Sequence, residues 1–344
     1  MTRFFRSIVA PATAALCLAA TSVSADLVVL QYHHVDDSTP RATSTTPSLF
    51  RDQLDMILEL DLEVVPLLSG TRQALNGEVS DSNHIAITFD DAYESVYHTA
   101  APLLSELELP YTIFVNTDAV GGHGYMTWAQ LEELANGKLA TIANHSADHG
   151  HLARKPDESK EHWHERTKQS LDQAQKTISE KLGSTNPMFA YPYGEFDQAL
   201  EEKLATRDWL GFGQHSGAIG RYSHETRLPR FPMADAYGQL ESLQDKLLSR
   251  AFPVPASELP DGIVENNPPT LTFALGEELS PARLTCFASG FGRIDLNIND
   301  GKVVVQAPSE ITSRRFRYNC THPAGDGSFY WLSQQWLNLD APED

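Results

Sequence analysis

Three cysteines in 344 residues are too few for a disulfide scaffold or a Cys-rich zinc module. Basic side chains are also scarce: 26 Lys plus Arg stand against 46 Asp plus Glu, a net charge of -20. So acidic a chain repels phosphate backbones, which argues against a nucleic-acid partner. Beyond the N-terminus no apolar run approaches the ~18 residues of a membrane-spanning helix. Internal repeats and low-complexity tracts are missing too. What remains is ordinary globular composition, 41% hydrophobic and 21% charged, which excludes disordered, collagenous or coiled-coil chains. At roughly 150 residues per domain, the length predicts about two domains.

Arg3 and Arg6 precede an apolar run, Ile8 to Ala20, that exits through Ser22-Val23-Ser24-Ala25. That pattern predicts a secretory signal peptide over residues 1–25 and an exported protein, periplasmic or secreted. Leu16 occupies the position where a lipid anchor on Cys17 would need a small residue, so no stable membrane anchor is expected. The processed chain would keep only Cys286 and Cys320, and in an oxidising compartment these are expected to pair.

From Leu27 to about Arg250 the periodicity alternates between strand and helix. Strands are predicted at Leu27–Tyr32, Leu62–Leu67, Ile85–Phe89, Tyr111–Asn116, Leu139–Asn144, Met188–Tyr193 and Leu210–Gly213. Helical stripes begin near Leu49, Val96 and Trp128, and Asp157 to Leu182 reads as a charged helix with few core positions. Repeated βα units imply an α/β fold with a parallel, closed or partly closed barrel over residues 26–252, its working residues in the loops after the strands. Prolines then punctuate a linker, 253–268. Short alternating runs over 269–344 predict a small antiparallel β domain. Within it, Asp295 to Gly301 superficially suggests a calcium loop, but Asp300 stands where glycine is needed and Gln306 where a bidentate Glu belongs. A hairpin turning at Asp300-Gly301 fits better.

Three segments carry chemistry, each after a predicted strand. In Thr88-Phe89-Asp90-Asp91, adjacent carboxylates leave the strand on opposite sides, so one can ligate a metal while the other stays a free base. In His145-Ser146-Ala147-Asp148-His149, histidines four apart on a helical turn would share one side and chelate a divalent ion. In Phe189-Ala190-Tyr191-Pro192-Tyr193-Gly194, the Pro and Gly force a sharp turn whose backbone N–H groups can face a ligand.

In this order and spacing the three segments resemble the polysaccharide deacetylase family, the NodB-homology domain or carbohydrate esterase family 4. Tyr32-His33-His34-Val35 and the helix starting near Phe50 and Leu54 are similar to the N-terminal part of its exported members. The resemblance covers about residues 27–235. It implies a distorted (β/α) barrel that removes acetyl groups from sugars with a divalent metal, most often Zn2+. Carried over, Asp90 matches the base, Asp91, His145 and His149 the metal ligands, and Tyr193 the residue whose backbone N–H holds the oxyanion. Two departures stand out. Where many members carry the arginine that orients the base, this chain has Ala190, and Arg230 is the candidate substitute. The Leu-x-His segment that brings the general acid is missing in that form, leaving His215, with His224 as competitor.

The expected activity is metal-dependent N-deacetylation of N-acetylhexosamines in a polysaccharide or oligosaccharide. The alternatives are O-deacetylation of acetylated xylan or a related polymer, and a non-catalytic sugar-binding protein. His162-Trp163-His164-Glu165 and His98 lie on predicted helices and are set aside as structural. The aromatics Phe329, Tyr330, Trp331 and Trp336 could stack on sugars, though such rings in a small β domain more often form core.

Overall fold

The computed structural model describes residues 26–78, 82–183 and 185–343; the expected signal peptide lies outside them. Nine strands among the described residues build the first sheet: β1 (Leu27–Tyr32), β2 (His84–Asp90), β3 (Tyr111–Val115), β4 (Ala140–Asn144), β5 (Met188–Ala190), β6 (Leu210–Phe212) and β7 (Phe231–Pro232), with two short ones, Glu63–Val64 beside β2 and Ala218–Ile219 antiparallel to β1. Successive strands from β1 to β6 pair in parallel, and β7 pairs in parallel with the far side of β1. A bridge from Phe212 to Leu228 nearly closes the ring. The sheet is therefore a curled, incomplete barrel. Most of its strands read as unbroken apolar runs because both faces are covered.

Helices α1 (Pro47–Glu59), α2 (Leu67–Asn76), α3 (Ala101–Glu106), α4 (Trp128–Asn136), α5 (Lys160–Leu182) and α6 (Gln198–Ala205) follow in turn. The expected strand Leu62–Leu67 shrinks to Glu63–Val64, because Pro66 already caps α2. The stripe at Val96 opens as a π-turn over Val96–Ala100 before α3; Pro102 has no N–H with which to continue the tighter ladder. Helix α5 buries more than expected. Trp163, Thr167, Ser170, Leu171, Ala174 and Ile178 make a continuous inward face.

The C-terminal region holds β8 (Thr270–Ala274), β9 (Thr285–Ala288), β10 (Gly292–Ile294), β11 (Leu296–Asn299), β12 (Lys302–Gln306), β13 (Arg315–Pro323) and β14 (Phe329–Leu337). They form two antiparallel arrays, β8-β12-β11 and β14-β13-β9-β10. Alternate residues are buried along β8 and β13, the period-two signature of a half-covered sheet. The alternating sequence Arg293–Ile298 contributes to two strands that join different arrays, separated at Asp295. Asp300 and Gly301 turn the β11–β12 hairpin with φ 47° and 76°, the left-handed pair such a tight turn requires. Cys286 and Cys320 face each other across β9 and β13 and are disulfide-bonded.

This region is docked on the barrel. Arg250–Ala251 pairs in parallel with Tyr330–Trp331 of β14, and the Trp331 ring meets Phe231 edge-on at 5.2 Å. The proline-rich segment is packed as well: Phe252 and Val254 enter the C-terminal core, and Val264 N–H donates to the Leu337 carbonyl at 3.0 Å.

Candidate active site

Because β1 to β7 run in parallel, their C-terminal ends share one rim, and the three chemical segments meet there. Strand β2 ends in Asp90, and the chain turns at once: Asp91 and Ala92 hold φ of 74° and 58°. Left-handed backbone is costly for residues with a Cβ and persists where the surroundings enforce it. The turn sends the two carboxylates to different partners.

Asp90 is fully buried against Arg230, itself fully buried. Arg230 Nη1 and Nη2 donate to Oδ1 and Oδ2 at 2.8 Å each, and Gln31 Nε2 donates to Oδ2 at 2.7 Å. Arg230 Nε donates to the Gly213 carbonyl at 2.9 Å, which orients the fork. Burial pushes the Asp90 pKa up. The positive charge of Arg230 and its guanidinium hydrogen bonds outweigh it, holding the carboxyl well below the usual carboxylate range.

Asp91 faces the histidines. Its Oδ1 lies 3.5 Å from His145 Nε2 and 3.2 Å from His149 Nε2. Burial, reinforced by the charge of Asp90, raises the Asp91 carboxyl to about 6. His145 Nδ1 lies 2.8 Å from the Ala190 carbonyl, so the proton belongs there and Nε2 presents a lone pair inward. That Nε2 is buried and has no hydrogen-bond partner. Burial pushes the His145 pKa down to about 3 and that of His149 down as well, so both rings are neutral at pH 7. One donor atom from each of Asp91, His145 and His149 falls within 4.8 Å of the others. Two neutral imidazole nitrogens and a carboxylate, one nitrogen orphaned, suit a divalent cation.

The two histidines share a side for a different reason than expected. Residues 145–149 are a loop, not a helical turn, with Ser146 and His149 at φ 69° and 51°. Helix α5 pins that loop: Ala147 N–H donates to the Ser170 carbonyl at 3.1 Å, and Asn144 Nδ2 to the Leu171 carbonyl at 3.0 Å. Beside it, Tyr193 has φ 57°, and its ring lies 4.6 Å from that of His149 and stacks on His151 at 4.1 Å. The following Gly194 is required: with φ 69°, an added Cβ would lie 2.6 Å from the Gln214 side chain.

His215 occupies a different environment. It is buried, its ring packs 5.6 Å from Phe196, and it shares a small cavity of about 60 Å³ with His224 and Trp331. Burial and then the charges of Arg317 and Arg227 push it down to about 3. His224 pairs with Thr226 Oγ1 at 2.8 Å. By contrast, the charge of His33, immediately after β1, acts on both Asp90 and Asp91. The histidine pair His33-His34 was visible in the sequence, but nothing local shows that β1 lies beside β2. His34 stacks on Tyr93 at 3.6 Å, and the Tyr93 hydroxyl bonds Asp91. The helix histidines stay apart from the site: His162 pairs with Glu158 and His98 with Glu94, both largely exposed. The C-terminal aromatics serve packing, with Trp336 buried and Tyr330 against the C-terminal core.

Residues 77–208 match the family model described as polysaccharide deacetylase. Poly-beta-1,6-N-acetyl-D-glucosamine N-deacetylase of Escherichia coli K12 is 21% identical over 250 residues, 60% of this chain but 36% of its own length. The chain thus spans about a third of that relative. The enzyme of the same name from Staphylococcus aureus MRSA252 is 23% identical over 199 residues, 56% of this chain and 68% of its own. In structure, the Streptococcus pyogenes deacetylase PplD, solved with acetate, covers 65% of this chain and 99% of its own at a TM-score of 0.57 and 20% identity. That likeness shows the fold.

Proposed function

We propose, from the match of residues 77–208 to the polysaccharide deacetylase family, that this chain is an exported, metal-dependent hydrolase that removes acetyl groups from N-acetylhexosamine units of a polysaccharide or oligosaccharide. The observation that carries the reading is the division of labour at Asp90-Asp91: one carboxylate clamped by Arg230, its neighbour gathered with two neutral imidazoles. The relatives named for poly-β-1,6-N-acetylglucosamine make that polymer the first substrate to test. The disulfide agrees with an oxidising compartment, and no helix among the described residues is long and apolar enough to cross a membrane. In this reading residues 26–252 are the catalytic domain, 253–268 the connection and 269–344 the accessory β domain.

Asp91, His145 and His149 would hold the cation, and two imidazoles with a carboxylate suit Zn2+. A divalent cation there supplies Lewis acidity, making water more acidic and an acetyl carbonyl more electrophilic. Asp90 takes the proton of the attacking water. Its depressed pKa makes it a weak base, adequate only where that water is itself acidified. Arg230 keeps the carboxylate ionised and aimed. The Tyr193 backbone N–H stabilises the oxyanion of the tetrahedral intermediate. The leaving amine needs a proton. His215, the expected donor, is held neutral by burial and by arginines. We assign the role to His33, which follows Tyr32, the register partner of Phe89, and so stands at the rim beside Asp90.

The test is acetate release by metal-loaded protein from β-1,6-linked N-acetylglucosamine oligomers, chitooligosaccharides, peptidoglycan and acetylxylan. Release from an N-acetylated substrate is expected. Release from acetylxylan alone makes the enzyme an O-deacetylase, and metal binding without release from any substrate makes it a sugar-binding protein. His33→Ala should lose far more turnover than His215→Ala; the opposite order returns the proton donor to His215.

A further inference from the structure

One turn after Tyr193, the Glu195 carboxylate is fully buried and held from two directions. From the barrel, His151 Nδ1 lies 2.9 Å from Oε2. From the C-terminal region, Arg314 Nε and Nη2 donate to Oε1 and Oε2 at 2.8 and 3.1 Å, and Arg315 Nη1 to Oε1 at 2.9 Å. Arg314 is itself 7% exposed and donates through Nη1 to the Ala341 carbonyl at 3.2 Å. The Arg315 guanidinium also lies over the Tyr193 ring, 5.3 Å from its centre, on a ring that His151 stacks against at 4.1 Å.

A buried carboxylate without these cations would be strongly disfavoured, so the barrel's turn depends on side chains 119 and 120 residues further along the chain. Left-handed backbone at Tyr193, which carries a Cβ, must also be enforced by its surroundings. Among the described residues, the cations on Glu195 that come from beyond the barrel are those of Arg314 and Arg315.

We propose that Arg314 and Arg315 are positioning residues that complete the active site: acting through Glu195, they fix the Tyr193 turn and the His151 ring against His149. The C-terminal sheet is then part of the site's architecture, not only an accessory for holding polymer. The inference rests on Tyr193 serving the oxyanion, as proposed above, but its structural half stands apart from that reading. Glu195 makes no step itself; it transmits the sheet's constraint to a backbone N–H whose placement matters to within about an ångström.

The experiment combines steady-state kinetics, metal stoichiometry and hydrogen–deuterium exchange of residues 189–197 on full-length Arg314→Ala, Arg314→Lys, Arg315→Ala and Arg315→Lys. Arg315 is 26% exposed at its side chain and its variants are expected to fold even where Arg314→Ala does not. Expected are one metal per chain, faster exchange in 189–197, and kcat lower by about 10- to 100-fold with KM nearly unchanged, the signature of a misplaced transition-state donor. Lysine, which keeps the charge but not the planar fork, should restore part of the loss at each position. Unchanged exchange and kcat within about twofold in both Arg315→Ala and Arg314→Lys would overturn the proposal. If wild-type protein releases no acetate from any substrate, the proposed function fails. The exchange comparison then still decides whether the arginines hold the turn.

Discussion

The two halves of the rim are built from neighbouring residues and answer opposite electrostatic problems. On the Asp90 side the protein supplies its own cation, Arg230, and the carboxylate is held ionised. On the Asp91 side no arginine or lysine among the described residues pairs with the carboxylate: the two facing imidazoles are neutral, one nitrogen is orphaned, and the carboxyl rises to about 6. One half is complete as it stands and the other is shaped for a charge that must come from outside. A single left-handed turn at Asp91-Ala92 separates them, which is why two identical side chains in sequence acquire two roles.

The largest effect should come from emptying the cation half. His145→Ala and His149→Ala are expected to lose stoichiometric metal and turnover together, because two remaining ligands do not hold the ion. Metal analysis and acetate release on the same samples check this. Asp90→Asn should instead keep one metal per chain and lose about 10²–10⁴ in kcat, since the amide cannot accept a proton. If Asp90→Asn loses metal while Asp91→Asn keeps it, the roles are reversed.

Next in size is breaking the self-sufficient half. Arg230→Met leaves Asp90 buried and unpaired, at a cost of about 3–5 kcal/mol in chemical denaturation at pH 7. The sign with pH follows from the depressed folded-state pKa. The pair's stabilisation is full above the unfolded carboxylate pKa of about 3.9 and fades as pH falls through the lower folded value. The penalty of Arg230→Met should therefore shrink in acid; a pH-independent penalty would mean that Arg230 acts by packing alone.

A subtler contrast is proton linkage. Asp91 is raised to about 6, so the metal-free protein holds a proton there that the unfolded chain gives up near 3.9. The stability this adds is present at low pH and is lost as pH rises through about 6. Cation binding must expel that proton. Zinc titrations in buffers of differing ionisation enthalpy should show close to one proton released near pH 5.5 and far fewer at pH 8. Equal release at both values would contradict a raised Asp91.

Much of this was legible in the sequence where the signal is local. Each strand end that carries chemistry was marked by a buried run followed by charged or turn residues, and Arg230 entered only as a candidate because the resemblance implies an arginine that Ala190 cannot supply. The reading failed where geometry is non-local. Leu62–Leu67 has strand composition, yet Pro66 is spent capping a helix. Helix α5 looked nearly all polar because Thr167 and Ser170 are core positions without apolar side chains. The His33 environment and the Glu195 clamp depend on pairings 57 or more residues apart, which no spacing rule reaches.

The smallest expected effect tests how far the C-terminal sheet shares the barrel's fate. Cys286 and Cys320 are separated by 34 residues and sit opposite one another on paired strands. Closing a loop of that length restricts the unfolded chain by roughly 3–4 kcal/mol on the chain-entropy estimate. Reduction should therefore lower the unfolding temperature of the sheet. The barrel ring contains no cysteine, so its metal stoichiometry should be untouched. Turnover of short oligomers should persist but fall severalfold, less than in the Arg314 variants. The ladder between β13 and β14 still holds Arg315 opposite Leu337 once the bridge is open. Thiol titration of the unfolded, unreduced protein lacking residues 1–25 should find none. Two titratable thiols would remove the bridge from the account. Turnover wholly indifferent to reduction, with the sheet demonstrably unfolded, would return that sheet to an accessory role.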